Sequence, residues 1–264
     1  MINKKIKLIS GWSNPGGSTV HHIDLTNALC SRGYDCTFYG PHNYHLDKCK
    51  SGLITDAAID PNDIIISHFI RLPSIKENYK HILSCHETNL FPLKRVDLNQ
   101  YDTVHFVSKF QRDWHNVKCN DIIIPGFIQQ FEWSNPNNNV AGVVGSLDSH
   151  KRPHLSIERA LQDGFKLVKL FGNITEPEYY NTFCKKYIEK NQAIYMGYVD
   201  RVAAYNQVEK VYTSSKRESC SLVQGECLKA GIPFEGLPEN ERDINDYIFD
   251  NNKIVSLWEG ILND

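Results

Sequence analysis

Short apolar runs alternate with amphipathic helical patterns along most of this chain. The first run spans residues 6–9 and leads into a glycine-rich turn at residues 11–18. Apolar residues then recur at helical spacing over residues 19–32, and a second short apolar run follows at residues 36–39. A strand, a glycine turn, a helix and a strand within about forty residues predict a βαβ unit with a parallel sheet.

Four more apolar runs continue the first half of the chain, at residues 63–67, 81–85, 103–107 and 121–124. Continuous apolar runs are typical of parallel strands, which are buried on both faces of a sheet. The polar, turn-rich residues 131–140, which include W-S-N-P-N-N-N, then interrupt the alternation. We interpret this segment as an interdomain linker.

The alternation of strands and helices starts again after this linker. Strands are predicted at residues 141–144, 167–171, 193–196 and 211–213, and helices at residues 153–162, 179–190, 201–206 and 222–230. Residues 243–249 and 253–262 are predicted as terminal helices. The pattern indicates an α/β protein with two doubly wound, Rossmann-like domains, residues 1–134 and 135–264.

Composition indicates an ordinary globular protein. Of its 264 residues, 41% are hydrophobic and 23% are charged, which suits one large domain or two compact ones. The formal net charge of −2 gives no general attraction to nucleic acid or to anionic membranes. The apolar run near the N-terminus is too short for a signal peptide or a membrane span, so we expect a cytoplasmic protein. Frequent Asn, Ile and Lys hint at a bacterial or viral source, and a viral protein would act in the host cytoplasm.

Eight cysteines are scattered along the chain, at positions 30, 36, 49, 85, 119, 184, 220 and 227. No C-x-x-C pair occurs, and a chain of this length does not need disulfide bonds in order to fold. We therefore expect reduced and mostly buried thiols.

Two glutamates eight residues apart, Glu218 and Glu226, mark the strongest candidate site. They lie in R-E-S-C-S-L-V-Q-G-E-C-L-K-A-G-I-P, which predicts a loop entering a helix that ends at Gly231. The backbone N–H groups at the start of a helix have no partners inside it and can bind an anion. Two carboxylates that flank an anion site suit a ligand with hydroxyl and phosphate groups, such as a nucleotide-sugar.

This stretch resembles the E-x7-E signature of retaining glycosyltransferases with the glycosyltransferase-B fold, the large group 1 family. The resemblance extends over residues 7–236, which is nearly the whole chain. It implies two Rossmann-like domains facing across a cleft, the first for the acceptor and the second for the donor, which close around residues 135–139. It also implies transfer of a hexose or pentose from a UDP- or GDP-linked sugar to a hydroxyl group, with retention of configuration.

The resemblance assigns roles to the residues around the two glutamates. Glu218 would contact the sugar near the reacting carbon, and Glu226 would hold the ribose hydroxyls. The backbone around Ser221, Leu222 and Val223 would receive the phosphates.

Three further segments match the family pattern for the donor. In V-V-G-S-L-D-S-H-K-R, Lys151 takes the place of the family's phosphate-binding lysine, whereas Ser146 stands where the family has an arginine. Gly172 in L-F-G-N and Tyr198 in Y-M-G-Y-V correspond to strand ends that surround the nucleobase. A cation from residue 152, 216 or 217 is a candidate to replace the missing arginine.

The first half supplies the other residues to which the resemblance points. P-G-G-S-T-V-H-H contains Gly16 and Gly17, which would let the backbone approach the donor. H-I-L-S-C-H-E ends a strand at His86, the better candidate for a proton partner, and D-I-I-I-S-H leads to His68. A histidine at a strand end can bind a sugar hydroxyl or exchange a proton, although many such histidines are simply packed. Ser108 in F-V-S-K-F-Q-R-D-W is predicted to cap a helix on the acceptor side.

The sequence leaves several alternatives open. Because Ser146 removes one cation, a non-catalytic nucleotide-sugar-binding protein is the alternative to a transferase, and a phosphorylase-like or epimerase-like enzyme is a third hypothesis.

No D-x-D pair stands at a strand end and no His or Cys cluster has zinc spacing, so we expect no metal and no cofactor besides the co-substrate. The acceptor is expected to be a glycan or, ranked second, a hydroxylated base in viral DNA. The oligomeric state is open.

Overall fold

The computed structural model describes residues 4–11, 16–41, 50–68, 79–87, 93, 96–238, 245 and 247–263. The chain divides into two compact units, Met1–Phe127 together with Asn245–Asp264, and Ile128–Ile244. Each unit contains a sheet of parallel strands with helices between them, so the predicted α/β class is confirmed.

Among the described residues, the sheet of the first unit has seven strands in the order β3-β2-β1-β4-β5-β6-β7. The strands are β1 (Ile6–Ser10), β2 (Cys36–Gly40), β3 (Lys50–Leu53), β4 (Ile64–His68), β5 (Lys80–Cys85), β6 (Thr103–Phe106) and β7 (Asp121–Ile123). All neighbouring strands in this order pair in parallel. The order reverses between β1 and β4, which is where doubly wound sheets open a crevice at the carboxyl ends of their strands.

The sheet of the second unit has five strands in the order β10-β9-β8-β11-β12. The strands are β8 (Val140–Val144), β9 (Leu167–Phe171), β10 (Ala193–Gly197), β11 (Lys210–Tyr212) and β12 (Phe234–Glu235), and all of them pair in parallel. The order reverses between β8 and β11, so the loops that follow these two strands flank the expected ligand crevice of this unit.

Eight α-helices are described, and their bounds agree with the predictions best where apolar spacing and caps are clear. They are α1 (Gly17–Ser31), α2 (Lys109–His115), α3 (Pro153–Gln162), α4 (Pro177–Tyr179), α5 (Lys185–Glu189), α6 (Arg201–Tyr205), α7 (Leu222–Ala230) and α8 (Asn251–Asn263). A π-helical turn, Tyr180–Cys184, joins α4 to α5, where one continuous helix was predicted. Residues 247–249, predicted as helix, are irregular, and the rest of that predicted helix lies outside the described residues except for residue 245.

The C-terminal helix α8 belongs to the core of the first unit. Its buried residues Ile254, Val255, Trp258 and Leu262 pack in one cluster with apolar side chains of β1, β2, β4 and α1. The prediction that residues 135–264 form one domain is therefore wrong for this helix. An apolar helix face shows that a helix must be buried, but it does not show which sheet it covers.

The boundary between the units also differs from the prediction. It falls between Phe127 and Ile128, whereas residues 131–140 were interpreted as the linker. Phe131 stacks on Tyr205 at a centroid distance of 5.2 Å, and Trp133 Nε1 donates to Val208 O at 3.2 Å. These apolar anchors attach the polar segment to the second unit.

The cysteines are mostly free thiols, as expected, with one exception. Six of them are free, at positions 36, 85, 119, 184, 220 and 227. Cys30 is disulfide-bonded, so the expectation of a reduced thiol is wrong at this position. Spacing along the sequence could not reveal this bond, because only the fold decides which thiols come within bonding distance. Cys49 lies outside the described residues.

No helix among the described residues is long and apolar enough to cross a membrane.

Glycines lie at the ends of β8, β9 and β10, and the backbone there is closely packed. Gly145 and Gly172 have φ angles of +137° and +141°, which favour glycine. Gly145 N donates to Phe171 O at 2.9 Å, and Gly172 N donates to Gly197 O at 2.8 Å. A Cβ atom at position 172 would lie only 1.9 Å from Gly145 O. This contact leaves no room for a side chain between the strand ends.

We predict that Gly172→Ala lowers the free energy of unfolding by about 4 kcal/mol or more, because the methyl group must displace backbone. Gly164→Ala is the matched control, since its φ is +94° but nothing lies within 4 Å of an added Cβ. In that control, only the strain of the left-handed backbone should lower the free energy of unfolding, by about 1–2 kcal/mol. Chemical denaturation measures both variants, and equal losses would mean that the contact with Gly145 is not limiting.

Candidate functional site

The loop after β8 is shaped by one carboxylate, that of Asp148. Its Oδ1 accepts hydrogen bonds from the backbone N–H groups of His150 at 3.0 Å and Lys151 at 2.7 Å. Its Oδ2 accepts hydrogen bonds from the hydroxyls of Ser146 at 2.6 Å and Thr175 at 3.0 Å. Four bonds to one side chain fix the turn that places Lys151 just before α3.

The loop after β11 lies against this turn and brings in Glu218. Lys216 N donates to His150 O at 2.8 Å, and His150 Nε2 donates to Arg217 O at 3.0 Å. With the two loops aligned in this way, Lys151 Nζ lies 2.6 Å from Glu218 Oε1. Two residues that are 67 positions apart, and that the sequence assigned to one ligand, therefore form an ion pair.

The electrostatics of this pair favour the charged form of both groups. Burial raises the pKa of Glu218, but the charge and hydrogen bond of Lys151, with a hydrogen bond from Ser215, outweigh burial and hold the pKa below its ordinary value. The Glu218 side chain is 12% exposed and that of Lys151 is 34% exposed. The ammonium group is thus anchored by a carboxylate and remains accessible to an anion from solvent.

Helix α7 begins directly after this loop, within the predicted bounds. Ser221 is its N-cap, and its hydroxyl accepts a hydrogen bond from Gln224 N at 3.2 Å. Gly231 ends the helix in the left-handed conformation, as the sequence indicated. Leu222 and Val223 are the first two helical residues, and both are partly buried. The positive end of the helix dipole therefore lies four residues after Glu218 in the sequence.

Glu226, the second glutamate of the signature, is fully buried in the second unit. Its Oε1 accepts a hydrogen bond from Arg201, and its Oε2 accepts one from the Tyr205 hydroxyl at 2.6 Å. Burial and the Glu226 charge raise the pKa of Tyr205 well above its ordinary value. Arg201 is 26% exposed, so it stands between this carboxylate and solvent. Sequence reasoning missed Arg201, because nothing in the motif marks a cation in α6.

Two other predicted donor residues lie at strand ends of the same unit. Gly172 follows β9 in the tight glycine contact described above, and Tyr198 follows β10 with 63% of its surface exposed. The proposed replacement cation Arg152 is otherwise engaged, since it donates to Ser214 O at 2.8 Å and Ser215 O at 3.2 Å. This arginine supports the loop that carries Glu218.

The predicted residues of the first unit are mostly buried or structural. Gly16 is the N-cap residue of α1 and Gly17 its first residue, whereas residues 12–15 of the glycine-rich turn lie outside the described part. Ser108 caps α2 by accepting a hydrogen bond from Gln111 N at 3.1 Å, as predicted. His68 ends β4, is almost fully buried, and lies 3.1 Å from Glu87 Oε2.

His86 lies just after β5 in a group of five histidines, together with His21, His22, His68 and His105. Burial, followed by repulsion from the neighbouring imidazoles, lowers the pKa of His86 well below its ordinary value. The imidazole is therefore neutral near neutral pH. Its role as a proton partner stays a prediction. The sequence indicated two members of the group at strand ends but not the other three.

Solved structures that are similar to nearly the whole chain include the following three. HepE of Anabaena, solved with UDP and glucose, has a TM-score of 0.70 at 14% identity, over 98% of this chain and 91% of HepE. Sucrose-phosphate synthase of Thermosynechococcus elongatus has a TM-score of 0.66 at 13% identity, over 99% and 90% of the two chains. WaaG, a glycosyltransferase of lipopolysaccharide biosynthesis, has a TM-score of 0.65 at 11% identity, over 98% and 90%.

This chain has the glycosyltransferase-B fold. The fold predicted from the E-x7-E resemblance is thereby confirmed, with two Rossmann-like units. The sequence matches no protein-family model and no curated protein. Sequence identities of 11–14% support the fold alone. The donor, the acceptor and the stereochemistry of sugar transfer are proposals.

The Lys151–Glu218 ion pair should make the free energy of unfolding depend on pH. With Lys151 present, the depressed pKa of Glu218 adds stability above the unfolded value near 4.5, and this contribution is lost as the pH falls through the folded pKa. In Lys151→Met, the largest opposing influence on burial is removed and the hydrogen bond from Ser215 remains, so the pKa of Glu218 should rise. The free energy lost in Lys151→Met should therefore grow as the pH rises from about 3 to about 7.

Urea unfolding of the wild type, Lys151→Met, Glu218→Gln and the double variant measures this coupling. We expect a coupling free energy of roughly 1.5–3 kcal/mol near neutral pH, the scale of a charged hydrogen bond. In the Glu218→Gln background the pH dependence of the Lys151→Met effect should disappear. A coupling near zero at every pH would contradict the ion pair.

Proposed function

We propose that this protein is a glycosyltransferase that moves a sugar from a nucleotide-diphosphate sugar, UDP-linked in the first instance, to a hydroxyl acceptor. The observation that carries the proposal is the Lys151–Glu218 ion pair at 2.6 Å, held by the loops that follow β8 and β11. These loops flank the reversal point of the second sheet, where doubly wound folds bind nucleotides. HepE, which has a similar fold, was solved with UDP-glucose.

In this proposal the two charged groups of the pair bind two different parts of the donor. The partly exposed ammonium of Lys151 binds the diphosphate, together with N–H groups at the start of α7. The Glu218 carboxylate, ionised because its pKa is depressed, accepts hydrogen bonds from sugar hydroxyls. An anion is thus bound by a cation that is already positioned, which limits the cost of ordering the lysine side chain.

The same groups favour the transfer step. As the bond between the anomeric carbon and the phosphate oxygen breaks, negative charge grows on the departing diphosphate. Lys151 and the positive end of α7 stabilise that charge. The acceptor oxygen then bonds to the anomeric carbon, and its proton leaves with the nucleotide or to solvent. We propose retention of configuration and no metal in this step, on the resemblance of the signature alone.

The nucleobase and ribose are assigned to the other strand ends of the second unit. Tyr198 is an exposed aromatic ring directly after Gly197, a position suited to stacking on a base. Glu226 is the proposed ribose ligand, and it requires that Arg201 move or share the carboxylate, since Arg201 now binds it. The acceptor is proposed to be a glycan, with a hydroxylated DNA base second.

A non-catalytic nucleotide-sugar-binding protein is the second candidate, and one observation favours it. Ser146, where the resembling family has an arginine, is bonded to Asp148, and Arg152 is bonded to two carbonyl groups. Neither residue supplies the second cation to a diphosphate. Turnover distinguishes the two candidates, because only the enzyme releases free nucleotide from the donor in the presence of an acceptor.

The binding test compares UDP with uridine by isothermal titration calorimetry, after a thermal-shift panel of UDP, GDP, ADP and CMP has identified the base. Lys151→Ala should weaken UDP binding by roughly 1.5–3 kcal/mol, the scale of a charged hydrogen bond, and leave uridine binding unchanged. Lys166→Ala is the control, since Lys166 is an exposed lysine of the same unit. Unchanged UDP affinity in Lys151→Ala would place the phosphate site elsewhere.

Release of UDP from UDP-glucose with a panel of glycan acceptors tests catalysis. We expect acceptor-dependent release in the wild type and its loss in Glu218→Gln, while UDP still binds. Donor binding without release for any acceptor would favour the non-catalytic candidate. Failure of the wild type to bind any nucleotide would overturn both.

A further inference from the structure

A second constellation lies in the first unit, away from the proposed donor residues in the sequence. His21 comes from α1, His86 follows β5, and His105 lies within β6. Each ring offers one nitrogen, and these three atoms all lie within 4.8 Å of one another. All three side chains are buried. The fold has gathered them from positions up to 84 residues apart, so no spacing rule could reveal the group.

His21 is the member that most needs a ligand. It is 1% exposed, and neither of its ring nitrogens has a hydrogen-bond partner among the described residues. A neutral imidazole carries one donor and one acceptor, and leaving both unsatisfied in the interior is costly. A bound metal ion would satisfy the acceptor nitrogen of His21 directly.

The hydrogen bonds of His105 orient it as a metal ligand. Its Nε2 lies 2.8 Å from Ile124 O, and because a carbonyl oxygen only accepts, Nε2 must carry the proton. Its Nδ1 therefore carries no proton and has the lone pair that a metal requires. Metal-binding histidines usually donate their second N–H to a backbone carbonyl or a carboxylate in this way.

Ser84 supports the same group from β5. Its hydroxyl lies 2.9 Å from Nδ1 of His105 and 3.0 Å from Nε2 of His86. Since His105 Nδ1 has no proton, the Ser84 hydroxyl donates to it and accepts from Nε2–H of His86. A metal bound at His105 Nδ1 would replace the first of these bonds and leave Ser84 as an outer partner of His86.

The surroundings shield the three imidazoles from solvent. Aromatic rings close the group from outside, with Trp258 at 4.6 Å from His105 and Phe127 at 5.7 Å from His21, between centroids.

We propose that His21, His86 and His105 bind one divalent transition-metal ion, Zn²⁺ in the first instance. Three neutral imidazoles are a common ligand set for zinc. Zinc–nitrogen bonds of about 2.0–2.1 Å in a tetrahedral site put the nitrogens about 3.3 Å apart, so each ring needs to move by about 1 Å or less. Spacing along the chain predicted no metal, and this proposal departs from that prediction.

The ion would serve the fold of the first unit. It would tie α1 to β5 and β6 at a buried position, with a water molecule in the fourth position of the tetrahedron. His86 would then be a metal ligand and would have no catalytic role. The proposal uses none of the residues of the candidate donor site, since Lys151 and Glu218 belong to the other unit.

The test uses the full chain, purified after growth in zinc-supplemented medium, with its metal content measured by plasma mass spectrometry. We expect about one zinc per chain in the wild type, and at least a tenfold lower content in His21→Gln and in His105→Gln. His81→Gln is the matched control. His81 is also buried, with a pKa lowered to about 4, but its Nε2 is bonded to Ser67 Oγ at 2.8 Å. This variant should keep its zinc.

A second measurement does not depend on the variants folding. After chelation and reloading with Co²⁺, the wild type should show the visible absorption of four-coordinate, nitrogen-bound cobalt, and Zn²⁺ should raise the Tm of the chelated wild type. Wild type without bound zinc, without the cobalt spectrum and with a Tm unaffected by Zn²⁺ would overturn the proposal. Equal zinc content in His21→Gln, His105→Gln and the wild type would overturn the assignment of the ligands.

Discussion

Every strand pair in the described parts of both sheets is parallel, and a parallel sheet is stable in water only when helices cover both of its faces. This constraint explains the continuous apolar runs that the sequence shows at each strand. It also explains the return of α8 to the first unit, where Trp258 is fully buried in the core. The loops at the carboxyl ends of the strands then carry Lys151 and Glu218 in the second sheet.

The two candidate sites use those strand ends in opposite ways. In the second unit, the ends of β8 and β11 carry an ion pair that is still partly exposed, so a charged ligand can compete for it. In the first unit, the end of β5 and the interior of β6 hold buried, neutral imidazoles closed off by aromatic rings. The first arrangement suits reversible binding of an anion, whereas the second suits permanent binding of a cation.

Local sequence predicted much of the fold and part of the donor site. The bounds of α3, α7 and β9 agree with the prediction, because proline, a serine cap and terminal glycines act within a few residues. The strands β3 and β12 were missed, since K-S-G-L has no apolar alternation and F-E has only two residues. The Lys151–Glu218 contact was anticipated only through a family resemblance, as two residues of one ligand site.

The remaining features depend on contacts between distant parts of the chain. Arg201 reaches Glu226 across 25 residues, and His21 of α1 meets His105 of β6 across 84 residues. The partner of α8 and the disulfide at Cys30 have the same origin. Such features follow from tertiary packing, which local propensity and periodicity do not encode.

The place of α8 reverses the usual order of folding during synthesis. N-terminal domains generally fold first as the chain leaves the ribosome. Here the second unit is one continuous segment, Ile128–Ile244, whereas the first unit needs residues from Asn245 onward. The later unit is thus complete while the earlier sheet still presents an uncovered apolar face. The chain must be synthesised beyond Trp258 before that face is covered, so the first unit stays incomplete for longer than the second.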